Sequence, residues 1–504
     1  MSVSTAVQTG SYRAPHWQDA LLLSLPERWV GARTRWWIRH LPMTLALLLF
    51  AVLVLRLGNG ASVDEALAIN TGRDVIGHWI TGAAVTLPGN ALPGSPFAYP
   101  VLAAALDSVG GLFLVRAFGL GCVVLAAVLL QAATAARFPH RAGVLAAVVF
   151  VLTGPVVFLA GLGTSDALVL AVLATALWLT ATRGGTSSAM AAGGLLALVP
   201  VTDHVGAVLV PFVVVAGALM TTGNPLRRAA LVGLAAVALT GILELLGAGA
   251  GSRAWTAVFS GEAASPLPRT ALAGLLVLDV GLLMAVAVAG AVVLFRTGRR
   301  DALIAGVLLV GGALLPTAQL WAGEAVAFNQ HLAYSALFLA PLAGIALARL
   351  SRRTWRLGPL LLLLPVLLLF GASRSGALYS TWADVRPVAA EILADPRPGL
   401  YLAGGPAAEP LEYYTAGSSA VAWEDTYGLY AQGDDAIRVA VEDLRYETIV
   451  VHTASTGSAA EDAQEDVVLT ALHDNFTDYE LAATIQASGA ADGDSWLVYR
   501  QVAR

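Results

Sequence analysis

Residues 41–70 read LPMTLALLLFAVLVLRLGNGASVDEALAIN. Residues 41–57 are almost wholly apolar, and about 17 such residues are the workable minimum for a helix that crosses a bilayer. A short polar break follows, and then two adjacent carboxylates, Asp64 and Glu65. Acids placed directly beyond a membrane span raise the question of what surrounds them.

The whole chain repeats the apolar pattern. Of its 504 residues, 57% are hydrophobic and 12% charged, with a mean hydropathy of +0.72. That composition excludes an ordinary soluble globular protein and fits a polytopic membrane protein. Eleven apolar runs are long enough to be candidate spans: 41–57, 110–134, 143–160, 167–182, 187–202, 204–221, 229–248, 271–295, 302–320, 332–349 and 357–373. There is no lysine, which we read as the base composition of a high-GC bacterial genome. The single cysteine, Cys122, lies in an apolar run and excludes an internal disulfide.

The net charge of −5 is unevenly spread: residues 374–504 hold 21 of the 34 acids and 7 of the 29 arginines. We therefore expect three parts: a cytoplasmic or interfacial segment over 1–40, a transmembrane domain over 41–373 with a large first loop at 58–109, and a soluble α/β domain over 374–504. In that last part GLYLAG, AVAW, TIVVHT, YELAATI and SWLVYR read as strands. DDAIRVAVEDL and EDAQEDVVLTALHDNF read as helices, by their apolar spacing. Trp17, Trp36 and Trp37 among arginines mark the N-terminal segment as interfacial. About forty mixed residues precede the first apolar run, which argues against a cleavable signal peptide.

Arginine sets the expected orientation. Alternate short loops are basic, among them ARFPHRA, NPLRRAA and FRTGRRDA. By the positive-inside rule these face the cytoplasm, and the first loop and the C-terminal domain face outward. The outer loops and span ends mix acids and bases, including Asp64, Glu65, Arg73, Asp107, Arg116, Asp166, Asp203, Arg253, Glu324 and His331. A reaction centre, which needs such groups to converge, would therefore lie at the outer membrane boundary.

SVDE has a structural reading. Ser62 followed by Glu65 is a capping box, and Asp64 in the first turn suits the helix dipole. The pattern predicts a helix over 63–81. Within it His78 is roughly 21 Å along the axis from Asp64, so the partners of Asp64 must come from elsewhere. Asp166, opening the fourth span, is the best candidate, though an acid in a first helical turn is also explained by the dipole. Arg116 likewise has a structural reading, as a snorkelling or paired arginine. Asp203–His204 would cap a short loop; Asp279, as an intramembrane acid, is a functional candidate by default and equally suits a structural pairing with an arginine such as Arg253.

An acid pair after the first span resembles the GT-C membrane glycosyltransferases, which include protein O-mannosyltransferases and lipid A aminoarabinose transferases. SPFAYPVLAAAL followed by GGLFLVRAFGLGCVVLAAVLL looks like that family's proline–aromatic–tyrosine–proline loop leading to an arginine. GTSDALVLAVLATALWL resembles its second acidic position, and NQHLAYSALFLAPLAGIALARL its late span. The resemblance covers residues 41–350. It implies an inverting transfer of sugar from a polyprenyl-phosphate donor to an extracytoplasmic glycan, lipid or protein hydroxyl, at a plasma membrane. It also implies Asp64 as the base, Glu65 as a second acid or cap, and Asp166 as a residue orienting the acceptor. Arg116, His331 and Arg73 become candidates for the donor phosphate. In place of the family's frequent phosphate-binding lysine, this chain offers His331. A capping role for Glu65 predicts a mild effect of Glu65→Gln. We expect no cofactor and no metal site of standard spacing, leave a divalent cation open, and expect no nucleic-acid partner. The competing readings are a secondary transporter and a membrane-anchored extracytoplasmic binding module.

Overall fold

The computed structural model describes residues 32–82, 95, 97–245, 267–323, 325, 327–351, 358–424, 426–430, 432–455, 459–487 and 494–502. Trp17, most of the proline- and glycine-rich run after residue 82, Arg253 and Glu324 lie outside the described residues. The membrane part is helical: α1 (Ala32–Val54), α2 (Val63–Thr81), α3 (Tyr99–Arg137), α4 (His140–Val151), α5 (Gly154–Gly161), α6 (Ser165–Thr182), α7 (Thr186–Thr202), α8 (His204–Ala207), α9 (Val210–Met220), α10 (Pro225–Leu245), α11 (Arg269–Phe295), α12 (Arg299–Ala322), α13 (Phe328–Leu350) and α14 (Gly358–Tyr379). Among the described residues six of these, α3, α6, α10, α11, α12 and α13, are long and apolar enough to cross a membrane. The pair α4–α5, bent by 65°, makes a seventh if it is one span. The other four expected spans fall on shorter apolar helices, at Leu41–Val54, Thr186–Thr202, Val210–Met220 and Leu363–Tyr379. Length and composition thus support six or seven crossings rather than all eleven.

Two breaks shape the bundle. Helix α3 is longer than its expected span because an N-terminal section is joined to it through a kink at Gly110–Gly111. Gly111 has φ 63° and ψ −169°, a conformation open to glycine and strained for other residues. The second break separates α7 from α8 at Asp203, whose side chain accepts hydrogen bonds from Val205 N and Gly206 N.

The basic loops have a local use. Arg228 is buried and donates to the carbonyls of Leu179, Thr180 and Gly185 and to Ser188 Oγ. Arg300 donates to the carbonyls of Leu219 and Thr221, and Arg141 to that of Ser351. These arginines satisfy carbonyls that helix ends leave open, at the negative end of the dipole. Asp279 pairs with Arg374 of α14 at 2.7 Å, a partner drawn from the end of the last apolar helix.

The C-terminal part comprises α15 (Arg386–Ala394), β1 (Gly399–Ala403), α16 (Gly405–Thr415), β2 (Val421–Trp423), α17 (Thr426–Tyr430), α18 (Asp434–Glu442), β3 (Thr448–His452), α19 (Ala459–Asp474), β4 (Tyr479–Gln486) and β5 (Ser495–Gln501). The strands lie in the order β2-β1-β3-β5-β4. Strand β1 is parallel to β2 and β3, and β5 is antiparallel to β3 and β4. One face packs Val388, Ile392 and Leu411 against Tyr401, Val450 and Val498. The other packs Ile437, Val441, Val468 and Leu472 against Leu402, Ile449 and Val451. All five expected strands are present. Helices α15 and α16 were not expected, and α16 is the element that reaches back to the first loop.

Candidate active site

Helix α2 begins as its sequence predicts. Ser62 Oγ accepts from Glu65 N, and Glu65 Oε2 accepts from Ser62 N at 3.0 Å, which completes the capping box. The cap is the smaller part of what Glu65 does. Its side chain is fully buried, and Arg116 grips it bidentately, with Nε to Oε1 at 2.8 Å and Nη2 to Oε2 at 2.7 Å. Gly163 N donates to Oε1 at 2.7 Å. A Cβ on Gly163 would stand 2.5 Å from Val115 Cγ1, so glycine is what lets this backbone approach the carboxylate. Arg116 also donates to the carbonyls of Asn59 and Gly60. Four of its five N–H groups are engaged within the chain, and it ties α3 to α2 and to the segment that leads into α2, while Glu65 itself reaches the turn before α6.

Successive residues of a helix point about 100° apart, so Asp64 faces elsewhere. It is exposed, yet protein surrounds it closely enough for burial to raise its carboxyl above the usual range. A side chain both accessible and enclosed lines a recess. Gln330 Nε2 donates to Asp64 Oδ2 at 2.9 Å and partly offsets that rise, while the charge of Glu65 adds to it. Asp166, 6% exposed in the first turn of α6, stands near enough to feel the charge of Asp64. The Tyr334 hydroxyl lies 3.1 Å from Asp166 Oδ1 and 2.8 Å from Asp203 Oδ2, and donates to one of them at a time.

The structure therefore gathers Asp64, Glu65, Arg116 and Asp166. His331, 8% exposed, lies on α13, with its ring stacked 6.3 Å from that of Tyr334. Arg73 is not part of this group. Nine residues along α2 from Asp64, it pairs with Asp107 at 2.7 Å and lies 4.9 Å over the Tyr413 ring. Gln330, Tyr334 and Asp203 were not singled out as site residues. Gln330 and Tyr334 stand one turn apart at the start of an apolar helix, and that placement is the available signal. The buried polar atoms without a hydrogen-bond partner include Tyr99 Oη, Thr164 Oγ1, His331 Nδ1 and Ser335 Oγ. Such orphans are rare in a finished interior; Thr164 lies two residues before Asp166, and His331 and Ser335 flank Tyr334 on α13. Among the described residues no three His, Cys, Asp or Glu side chains stand so as to hold a metal ion.

The C-terminal domain closes over the segment that leads into α2. Asn59 Nδ2 donates to the carbonyls of Tyr379 and Trp382, and Ala61 N donates to Tyr414 Oη at 2.9 Å. Arg386 Nη2 donates to Gly58 O at 2.7 Å. Further along α2, Asn70 Nδ2 donates to Glu409 O, and Tyr413 Oη donates to Asp107 Oδ1 at 2.8 Å.

An apolar helical bundle, an acid-bearing helix in the first loop and a docked α/β domain give the chain a fold like that of the GT-C glycosyltransferases. The chain is similar to ArnT from Cupriavidus metallidurans, both in the apo state (17% identity, TM-score 0.59) and bound to undecaprenyl phosphate (16%, 0.58). Each comparison covers 93% of this chain and 98% of ArnT. It is also similar to the archaeal oligosaccharyltransferase AglB from Archaeoglobus fulgidus, in complex with an inhibitory peptide and a dolichol-phosphate (13%, TM-score 0.53, covering 86% of this chain and 72% of AglB). No protein-family model matches the sequence, and no curated protein matches it significantly.

Proposed function

We propose that the protein is a glycosyltransferase of the plasma membrane that moves a sugar, with inversion, from a polyprenyl-phosphate carrier to an acceptor hydroxyl on the extracytoplasmic side. The observation that carries this reading is the difference between two neighbouring acids. Glu65 is neutralised by Arg116, whereas Asp64 opens onto a recess with a neutral amide as its partner. The fold adds support, because solved examples hold undecaprenyl phosphate or a dolichol-phosphate.

In this mechanism Asp64 takes the proton from the acceptor hydroxyl as its oxygen attacks the anomeric carbon. The bond from that carbon to the phosphate oxygen breaks, and the polyprenyl phosphate leaves with the electron pair. Asp166, held by Tyr334, orients the acceptor. His331, Tyr99, Thr164 and Ser335 offer the polar atoms that the leaving phosphate needs. Arg116 acts as a brace with one N–H to spare, and Arg73 as part of the domain contact. The reaction as proposed uses no cofactor beyond the lipid-linked donor, and the acceptor is a glycan, lipid or protein hydroxyl. The six long apolar helices, the bent pair α4–α5 and the four shorter apolar helices together form the membrane domain. No observation of the structure favours the transporter or the binding module.

Undecaprenyl phosphate, added to the purified full chain in detergent, should raise its thermal midpoint saturably. Binding at 100-fold over Kd stabilises a folded state by about 2.7 kcal/mol. A midpoint that does not respond would remove lipid phosphates as the donor class. The orientation is tested separately. Ile80 and Phe476 are exposed, on α2 and in the C-terminal domain. Cysteine at either position, in a Cys122→Ala background, should react with an impermeant thiol reagent in spheroplasts. Protection at both would invert the topology.

A further inference from the structure

Asp64 has one described hydrogen-bond partner on another element, and it is neither a cation nor a backbone group. Gln330 is 7% exposed and belongs to the first turn of α13, the most deeply enclosed of the long apolar helices. Its amide nitrogen meets Asp64 Oδ2 at 2.9 Å. The start of α13 is set by Ala327 at φ 52° and ψ 16°, a left-handed conformation that costs a residue with a side chain of order 1 kcal/mol. Backbone strain next to a functional group marks a position fixed by more than local preference. One turn later on the same face, Tyr334 reaches Asp166 and Asp203. A single rigid helix thus touches both acids.

We infer that Gln330 is a positioning residue for the base: its amide fixes the rotamer of Asp64 through Oδ2 and leaves Oδ1 directed to the acceptor hydroxyl. This deepens the proposed function and rests on it for the meaning of Oδ1. A neutral donor suits the task. An arginine or histidine here would pair with Asp64 as Arg116 pairs with Glu65, and a carboxylate so neutralised is a poor proton acceptor. An amide orients the anion while leaving it basic. The charged and titratable groups that bear on Asp64 are Glu65 on its own helix, with Arg116 of α3 behind it, and Asp166 on α6; His331 and Tyr334 follow Gln330 on α13, where Tyr334 meets Asp166 and Asp203.

The test reads the protonation of Asp64 and needs no known substrate. Dicyclohexylcarbodiimide adds to protonated carboxyl groups in apolar surroundings, and mass spectrometry of the Asp64 peptide gives the modified fraction at each pH. Loss of the amide donor destabilises the carboxylate, so in Gln330→Met the modification should persist to higher pH, with its midpoint raised by roughly one to two units. Gln330→Glu, nearly the same shape, sets a second carboxyl against the first and should move the midpoint in the same direction. Midpoints unchanged from wild type in both variants would overturn the inference, whatever the protein transfers. Shifted midpoints alongside an Asp64→Asn variant of undiminished transfer would leave Gln330 as the partner of Asp64 and overturn the base assignment instead.

Discussion

Asp64→Asn is expected to lower sugar transfer from a polyprenyl-phosphate donor by about 10²–10⁴-fold, the usual size of a lost general base. The variant should insert and fold as wild type does, because Asp64 lines a recess and its one partner is an amide that an asparagine can also meet. The pH profile sharpens the expectation. Burial raises the Asp64 carboxyl. The deprotonated fraction therefore falls at a pH above the ordinary aspartate value of about 3.9. Below its raised value the base is protonated and kcat/KM drops about tenfold per unit; above it the rate is level. The residual activity of Asp64→Asn should lack this acid limb. Wild-type turnover in the variant, or an identical limb, would take Asp64 out of the mechanism.

Glu65→Ala is expected to have the largest effect on stability. Removing one partner of a buried ion pair typically costs about 3–5 kcal/mol, since the remaining charge is stranded. Here the loss also leaves Ser62 N and Gly163 N without their acceptor. Thermal unfolding followed by size-exclusion chromatography should show a lowered midpoint or no recoverable monomer. Glu65→Gln keeps the cap and loses the charge, so it should fall between the two. The mild effect expected from capping alone is replaced here, because three of the donors on Glu65 come from Arg116 and Gly163. A Glu65→Ala protein as stable as wild type would show that Arg116 re-pairs, for instance with Asp64.

What the sequence showed and what it hid divide along chain distance. The helix over 63–81 was legible because its cap is written within four residues. The five strands were legible because alternation is local. Asp64 stood out through its placement after a span. The partner of Glu65 is 51 residues away, and that of Asp64 is 266 residues away. No periodicity encodes such pairings. Asp203 was read as a loop cap, which it is, but its contact with Tyr334 depends on how α7 and α13 pack. Helix α16 was missed for another reason: GGPAAEPLEYYT opens with two glycines and holds two prolines, residues that weaken an isolated helix and are overruled by docking.

The bond between Ala61 N and Tyr414 Oη joins residues 353 positions apart. A ribosome adding about 5–20 residues per second needs roughly 20 to 70 seconds to cover that distance. The first loop therefore emerges early and waits. Arg116 reaches Asn59 after a further 57 residues, but the clamp on Gly58, Asn59 and Ala61 closes only when the last quarter of the chain has been made and folded. On the proposed function the protein is in this sense born inactive. Its acid is made at the start of synthesis and the segment before it is ordered at the end, so a nascent or truncated chain has an apolar bundle without that clamp. The same arrangement limits what evolution can exchange. A terminal domain taken from another chain must arrive with its own means of holding the residues in front of Asp64, or that segment will be left without its clamp.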